Sequence, residues 1–169
     1  MVIDQTIEEM KQVFRDLPYG VEHTLHVLGY AETILDGESI TGRVRETTAL
    51  AAVLHDIGFV EAKKKHGSMD SPYQEKEGPP VAEAILKRAG ASQEMIWRVC
   101  YIVGHHHTQA SIDGIDFQIL WEADCIENLM YNREKLDNPY LCQKVQENFK
   151  TETGRALAIK QLGLQDACQ

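Results

Sequence analysis

Apolar side chains recur every three or four residues along most of the chain, which is the period of an amphipathic α-helix. The pattern predicts a short amphipathic segment over 5–16 and helices over about 21–36, 43–57, 92–107, 116–132 and 139–163. A further helix is predicted to begin at the prolines of "EGPPVAEAILKRAG", since proline suits the first helical position. No segment shows the alternation of a half-buried strand. The sequence predicts an all-α fold, a compact helical bundle forming a single domain over residues 1–169.

Residues 60–75 are polar and rich in glycine, serine, aspartate and proline, which predicts a long loop. This stretch contains Lys63, Lys64 and Lys65 in a row. Such a charge run is either a solvated surface or an anion-binding rim beside an active site. In the second case the three lysines would bind an anionic substrate.

In composition the chain is an ordinary globular protein, since 43% of its 169 residues are hydrophobic and 25% are charged. Its formal net charge of −9 argues against a nucleic-acid polymer as partner, because such a partner needs a basic surface. No apolar run approaches the roughly 20 residues of a membrane span, and the first residues lack the apolar core of an export signal. We therefore expect a cytoplasmic protein that does not contact membranes; these patterns do not define its oligomeric state.

The four cysteines, Cys100, Cys125, Cys142 and Cys168, are widely spaced and form no C-x-x-C pair. This spacing disfavours a zinc ribbon, a thioredoxin-like redox motif and a dense disulfide framework. We expect a reducing compartment, in which the cysteines are core or surface residues without chemistry of their own.

Polar residues interrupt the apolar faces of the predicted helices at four places. His23 lies on the inward stripe of its helix, and His55 and Asp56 end the apolar run "LAAVLHDIGF". His106 continues an apolar stripe into "GHHHT", and Asp124 lies on a helix that is otherwise core-like. Any one of these residues alone is more often a hydrogen-bonded core residue than a ligand.

Taken together, two imidazoles and two carboxylates from three helices favour a metal site. Buried carboxylates stay ionised only at a high cost unless a positive charge compensates them. A mixed nitrogen and oxygen donor set suits a divalent ion such as Mn, Fe, Mg, Co, Ni or Zn. The predicted ligands are His23, His55, Asp56 and Asp124.

The same residues carry a resemblance to a known family. The segments "HTLHVLGYAETI", "LAAVLHDIGF" and "ILWEADCIENL" resemble the ordered motifs of the HD-domain superfamily of metal-dependent phosphohydrolases. The similarity covers a motif-bearing core of about residues 20–132, and "NFKTETGRALA" in the C-terminal helices resembles the family's closing helix. The resemblance implies a helical fold of the HD type and hydrolysis of a phosphate ester, of a nucleotide or another small phosphorylated metabolite.

For the site, the resemblance implies that the four predicted ligands hold one metal ion. It matches His105 and His106 to paired histidines that bind a second metal or the substrate phosphate. In the expected mechanism Asp56 or Asp124 orients the attacking water, and His105 or His106 stabilises charge on the phosphoryl group. His26 leaves the inward stripe of its helix, and His107 has no counterpart with a function.

The chain departs from the family pattern at two positions. Phe59 follows "HDIG" where many members have a phosphate-binding lysine, and Gln74 stands where two-metal members have another histidine. Because glutamine is a poor metal ligand, one tightly bound metal is favoured over two. Two alternatives to a phosphohydrolase stay open, an HD-like di-iron oxygenase and a non-catalytic regulatory domain that binds metal.

Overall fold

The computed structural model describes residues 1–168, and this part of the chain is built from α-helices joined by short turns, with no β-strand. The α-helices are α1 (Val2–Val13), α2 (Pro18–Gly37), α3 (Gly42–Leu54), α4 (Phe59–His66), α5 (Ser71–Ala89), α6 (Gln93–Val103), α7 (Ile115–Tyr131), α8 (Asn138–Asn148) and α9 (Glu152–Gln161). The predicted all-α fold is confirmed. None of these helices combines the length and the apolarity needed to cross a lipid bilayer within residues 1–168.

The prediction of a long loop over residues 60–75 was wrong, because most of this stretch is helical. The residues that favour turns form only the short link between α4 and α5, residues 67–70. Gly67 ends α4 with a left-handed φ of 68°, which glycine adopts without strain, and Asp70 precedes the first residue of α5. The lysine run therefore lies on the last turns of α4.

The start of α5 was also predicted too late, since Pro79 and Pro80 lie inside the helix and not at its first turn. Pro72 occupies that first turn instead. A proline removes one backbone donor from a helix interior, so packing must hold the helix together there. Two other helices end earlier than predicted, α3 at Leu54 and α6 at Val103. The polar residues of "HDIG" and "GHHH" therefore lie in turns that follow a buried helix.

Helices α2, α3 and α7 pack against one another at the centre of the molecule. Their buried apolar side chains include Ile34 on α2, Leu54 on α3 and Ile126 on α7. These residues belong to one hydrophobic cluster, to which the buried side chains of α1, α5, α6, α8 and α9 also contribute. The organisation of the chain as a single domain stays a prediction.

Gly58 brings α5 into backbone contact with the turn that follows α3. A Cβ atom at Gly58 would lie 2.6 Å from the amide nitrogen and 2.8 Å from the Cα atom of Gly78 on α5. Atoms do not approach so closely without a shift of the backbone. The glycine of "HDIG" is therefore required by packing, and the contact fixes the turn that carries His55 and Asp56.

A buried carboxylate fixes the C-terminal helices onto α7. Glu122 is fully buried, and its carboxylate accepts the backbone N–H groups of Lys150 and Thr151, the Thr151 hydroxyl and the Gln118 amide. These hydrogen bonds satisfy the charge without a cationic partner. The segment between α8 and α9 is thereby held against the middle of α7.

Two cysteines form a covalent link at the end of the described chain. Cys142 on α8 and Cys168 form a disulfide with Cα atoms 5.4 Å apart. The expectation that all four cysteines lack chemistry was therefore wrong for this pair. The pairing could not be predicted from local sequence, because the two cysteines are 26 residues apart and only the return of the chain after α9 brings Cys168 to α8. A cytoplasmic location stays a prediction, and the disulfide removes the cysteine argument for it.

The contact between Gly58 and Gly78 leads to a test of the fold. We expect Gly58→Ala to destabilise the protein by about 1–3 kcal/mol, because the added methyl group must displace the backbone of α5. Gly29→Ala is the matched control, since Gly58 has a right-handed helical backbone conformation, Gly29 lies within α2, and a Cβ atom at Gly29 would meet nothing within 4 Å. That control should be neutral or slightly stabilising. Urea unfolding of both variants measures the difference, and equal stability of the two would contradict the packing argument.

Candidate metal centre

Three separate elements place the predicted metal ligands around one point. His23 lies in the second turn of α2, His55 and Asp56 lie directly after α3, and Asp124 lies in the middle of α7. The two imidazoles are 6% and 1% exposed, and the side chains of Asp56 and Asp124 are 24% and 18% exposed. The cluster is therefore buried on the imidazole side and open to solvent on the carboxylate side.

The donor atoms are close enough to share one cation. The Nε2 atoms of His23 and His55 are 3.2 Å apart. Asp56 Oδ2 lies 3.4 Å from His23 Nε2 and 3.3 Å from His55 Nε2. Asp124 Oδ1 lies 3.2 Å from His23 Nε2 and 3.6 Å from His55 Nε2. Ligands bonded at about 2.0–2.2 Å to one ion lie at such mutual distances. The structure thus brings all four residues together.

Backbone carbonyls orient two of the imidazoles toward the cluster. His55 Nδ1 lies 2.8 Å from the carbonyl oxygen of Ala52, and His106 Nδ1 lies 2.7 Å from that of Val103. Because a carbonyl only accepts hydrogen bonds, each Nδ1 must carry the proton. The Nε2 atom of each neutral ring then directs a lone pair at the cluster, which is how metal-binding histidines are usually held.

His23 is held in a different way. Its Nδ1 atom is buried and has no hydrogen-bond partner among residues 1–168. The ring stacks against Tyr19, with the centroids 6.1 Å apart, and Tyr19 in turn contacts Tyr131 edge to face. Packing against an aromatic side chain therefore takes the place of a hydrogen bond in orienting this imidazole.

The electrostatics of the cluster favour a positive charge at its centre. Burial alone would lower the pKa of His55, but the carboxylates of Asp56 and Asp124 raise it well above its usual value. Burial would raise the pKa of both carboxyls, but the neighbouring imidazoles hold them well below their usual range. The carboxylates are thus ionised and need a proton on an imidazole or a cation between them.

These observations fit a divalent metal ion. The buried cluster offers both imidazole nitrogen and carboxylate oxygen as ligand atoms. Ions of Mn, Fe, Co, Ni and Zn bind both kinds of atom, and Mg binds the carboxylate oxygens. The forced tautomer of His55 leaves its Nε2 free to bind an ion. His23, His55, Asp56 and Asp124 would hold the ion, and its charge would compensate the two carboxylates.

A second group of donor atoms shares Asp56 with the first. Asp56, His106 and His107 offer ligand atoms that all lie within 4.8 Å of one another. His106 Nε2 is 3.2 Å from Asp56 Oδ1, and the rings of His106 and His107 are 3.9 Å apart. The backbone of His107 is fixed because its N–H donates to Glu75 on α5.

His105 is separate from both groups of donors. Its Nδ1 donates to the carbonyl oxygen of Tyr101, at 2.7 Å, and its ring packs on the Tyr101 ring with the centroids 4.5 Å apart. The structure therefore brings His106 and His107, and not His105, to the predicted site. Sequence reasoning missed His107 because it continues no apolar stripe.

Two cavities adjoin the donor atoms. The larger has a volume of about 530 Å³ and is lined on one side by Asp124, His106 and His107. The smaller, of about 100 Å³, is lined by His23 and Asp56 together with apolar side chains that include Phe59. The larger cavity is within the usual size range for a small-molecule site.

The three lysines of α4 have other partners and line neither cavity. Lys63 Nζ lies 3.4 Å from the carbonyl oxygen of Gly67, and Lys64 pairs with Glu61. Lys65 lies 2.7 Å from the carboxylate of Glu77. This arrangement gives no direct support to substrate binding by the lysines.

Glu77 joins α4 to α5 through its carboxylate. Besides Lys65 it contacts His66, at 2.9 Å, and the His66 ring stacks on Tyr73. Hydrogen bonds from Lys65 and His66 lower the pKa of Glu77 to about 2. The contact therefore supports the fold of this region. Gln74, the second departure from the family pattern, donates from its side chain to the carbonyl oxygen of Met69.

The geometry of the site agrees with a comparison against known families. A family model described as "HD domain" matches residues 20–148, which is more than two thirds of the chain. The chain belongs to the HD-domain family. HD domains form a superfamily of metal-dependent phosphohydrolases. The match confirms the family that the helical motifs predicted. Neither a curated protein nor a solved structure matches this HD domain.

The pKa of Glu77 leads to a prediction on acid stability. The carboxyl titrates near 4.5 without its partners and near 2 in the folded protein, so its stabilising contribution is complete above about pH 5 and is lost as the pH falls toward 2. We expect Glu77→Gln to melt earlier at pH 7 and to lose less further stability between pH 5 and 2.5 than the wild type. Glu83→Gln, which removes an exposed ion pair with Lys87 on the same helix, should keep the wild-type acid slope. Thermal melts across this pH range give the comparison.

The cluster leads to a prediction on metal binding. Added divalent metal should stabilise the wild type, by about 2.7 kcal/mol at a hundredfold excess over the Kd, because the ion binds only the folded state. Asp124→Ala should abolish this stabilisation, and metal analysis should find the variant depleted. Asp36→Ala, which removes an exposed carboxylate of α2 that pairs with Arg45, is the control. A variant that lacks Asp124 and still retains one equivalent of metal would rule out this carboxylate as a ligand.

Proposed function

We propose that this HD domain is a metal-dependent hydrolase of phosphate esters, and that its substrate is a nucleotide or another small phosphorylated metabolite. The ligands of the ion are His23, His55, Asp56 and Asp124. Family membership supports a hydrolase in general, and the arrangement of side chains at the cavity supports the narrower assignment.

One observation carries the proposal: the donor atoms of the candidate metal centre form part of the wall of a cavity large enough for a small metabolite. Asp124 belongs to both the cluster and the 530 Å³ cavity, and so does His106 through its contact with Asp56. A purely structural metal site is normally closed by protein ligands, whereas a catalytic site keeps an accessible position. The partial exposure of both carboxylates agrees with a catalytic site.

The divalent ion, when bound, supplies Lewis acidity that lowers the pKa of water and stabilises negative charge on a phosphoryl oxygen. Asp56 has one oxygen toward the imidazoles of the cluster and the other toward His106. A carboxylate in this position can accept a hydrogen bond from the attacking water and orient it. Asp124 can do the same with its second oxygen, since Asn128 donates to the first.

His106 is placed to stabilise the charge that develops on the phosphoryl group. Its Nδ1 donates to the carbonyl oxygen of Val103, which fixes the ring, and its Nε2 lies 3.2 Å from Asp56 Oδ1 beside the cavity. Fixed donors that face a developing charge supply a large share of catalysis in many enzymes. His107 lies beside His106 in the cavity wall, but burial and the neighbouring His106 lower the pKa of its imidazole to about 4, so we assign the charge-stabilising role to His106 alone.

The oxygenase alternative also has one supporting observation. The second donor group, Asp56 with His106 and His107, could hold another ion next to the first. An oxygenase of this type would contain two irons per chain and would consume oxygen. Metal analysis of the purified protein and an oxygen electrode distinguish it from a phosphohydrolase, which releases phosphate without oxygen.

The proposal predicts a separable loss of activity. Metal-loaded protein should release phosphate from members of a panel of phosphate esters, and a chelator should abolish the release. His106→Ala should lower kcat by about 10²–10³-fold, because it removes a donor to the transition state, while metal content remains. His26→Ala, which removes an exposed partner of Glu127, is the control and should keep its activity. If the metal-loaded wild type hydrolyses no ester of a broad panel, the domain is a regulatory metal-binding module instead.

A further inference from the structure

The wall of the large cavity contains a lysine as well as the carboxylate of Asp124. This residue, Lys135, belongs to the short 3₁₀ turn Arg133–Lys135 that follows α7. Asp124 lies seven residues before Tyr131, the last residue of α7, and this part of the helix rises about 10 Å at 1.5 Å per residue. The backbone of Lys135 therefore lies beyond the end of α7, at a different part of the cavity wall from Asp124.

Lys135 has no partner of its own. Its side chain makes no hydrogen bond and no ion pair with any residue from 1 to 168, and it is the one lysine or arginine among the described cavity-lining residues. The neighbouring Arg133 is different, since its guanidinium donates to the carbonyl oxygens of Leu162 and Leu136 and to Asn138. One cation of this turn therefore supports the fold, and the other is free to bind a ligand.

The backbone around Lys135 is fixed from several sides. One hydrogen bond of Arg133, to Leu162, joins the turn to the chain after α9, and the other two join it to Leu136 and Asn138 at the start of α8. The N–H of Lys135 donates to the carbonyl oxygen of Asn132. Asp137 caps α8 by accepting the N–H of Tyr140 at 2.9 Å. A side chain on a fixed backbone loses less entropy when it binds a ligand than one on a mobile loop.

Most of the remaining wall is apolar surface, although Asn128 and Asn132 also line the cavity. Leu129, Leu136, Trp121 and Tyr140 contribute to this surface, and the indole N–H of Trp121 already donates to Asn148, which does not line the cavity. Trp121 therefore offers only its apolar surface to a ligand. Such a wall favours a flat or apolar segment between two polar ends.

We propose that Lys135 is a specificity-determining residue, which binds a second anionic group of the substrate at a different part of the cavity wall from the scissile phosphate. The inference rests on the proposed phosphohydrolase function, since it assumes that the phosphate lies at the donor cluster. The substrate class is a phosphate ester whose flat or apolar segment carries a carboxylate or a second phosphate at its far end. An ammonium group binds either anion as a point charge.

The charge of the protein gives this lysine particular weight. The chain has a formal net charge of −9, and the other charged group of the cavity wall is the carboxylate of Asp124. Away from a cation, a second anionic group would therefore enter an unfavourable potential. Lys135 supplies the missing attraction at one place, which selects for an anion at a defined distance from the phosphate.

Binding can be measured without turnover through the fluorescence of Trp121. The chain has two tryptophans, and Trp97 is 68% exposed on α6, so Trp97→Phe leaves Trp121 as the single reporter. The probes are two phosphonates that cannot be hydrolysed, 4′-carboxybiphenyl-4-phosphonate and its neutral carboxamide analogue. Both are titrated into the manganese-loaded protein at low and high salt.

We expect the carboxylate probe to bind about tenfold more tightly than the carboxamide, as for one hydrogen bond between charged groups. Lys135→Met should abolish this preference and leave the affinity for the carboxamide unchanged. Lys160→Met, which removes another exposed lysine on α9, should retain the preference. High salt should reduce the preference in the wild type, because the contact is electrostatic.

The outcomes separate this inference from the proposed function. The inference is overturned if the wild type does not prefer the carboxylate, if neither probe quenches Trp121, or if Lys135→Met keeps the preference. The proposed function is tested by phosphate release from the two corresponding biphenyl phosphate esters and from the broad ester panel. A preference that depends on Lys135 without release of phosphate from any of these esters would refute the hydrolase and support the anion site. Release of phosphate without the preference would support the hydrolase and refute the anion site.

Discussion

A buried group of imidazoles and carboxylates that requires a positive charge is the constraint on which the rest of the structure depends. Asp56 and Asp124 lie beside the same two imidazole nitrogens, in a protein that already has a formal net charge of −9. Burial raises the pKa of both carboxyls, but the adjacent imidazoles lower it further, so both carboxyls stay ionised. Without a metal ion, a proton on His55, whose pKa the two carboxylates raise, compensates part of their charge. A divalent ion replaces that proton and also satisfies the nitrogen lone pairs.

This requirement explains why the surrounding packing is so tight. The candidate ligands lie on α2, directly after α3 and on α7, and a relative shift of these helices by about 1 Å would separate the donor atoms. The hydrophobic cluster holds the three helices together, and the contact of Gly58 with Gly78 prevents the turn with His55 from moving. Glu122, two residues before Asp124, anchors the opposite face of α7. The centre is thus held by interactions that lie outside it.

Helices could be predicted accurately where their apolar stripes are long and unambiguous. Helices α2 and α7 have long stripes, and their extent was predicted to within a few residues. The region of α4 was missed because its eight residues contain three consecutive lysines and one buried residue, Ala62, which is too little to form a stripe. The start of α5 was missed because Pro79 and Pro80 resemble a first helical turn, and only packing against neighbouring helices shows that they are internal.

The same reasoning explains which site residues the sequence could indicate. His23, His55, Asp56 and Asp124 interrupt apolar patterns, and an ionisable residue in a buried position implies a partner. His107 and Lys135 interrupt nothing, because both are exposed polar residues in turns, where polar residues are expected. Their position relative to the cavity depends on the path of the chain after α6 and after α7. Candidate metal ligands can therefore be proposed from a single sequence, whereas candidates for substrate selection become visible only when the cavity has a shape.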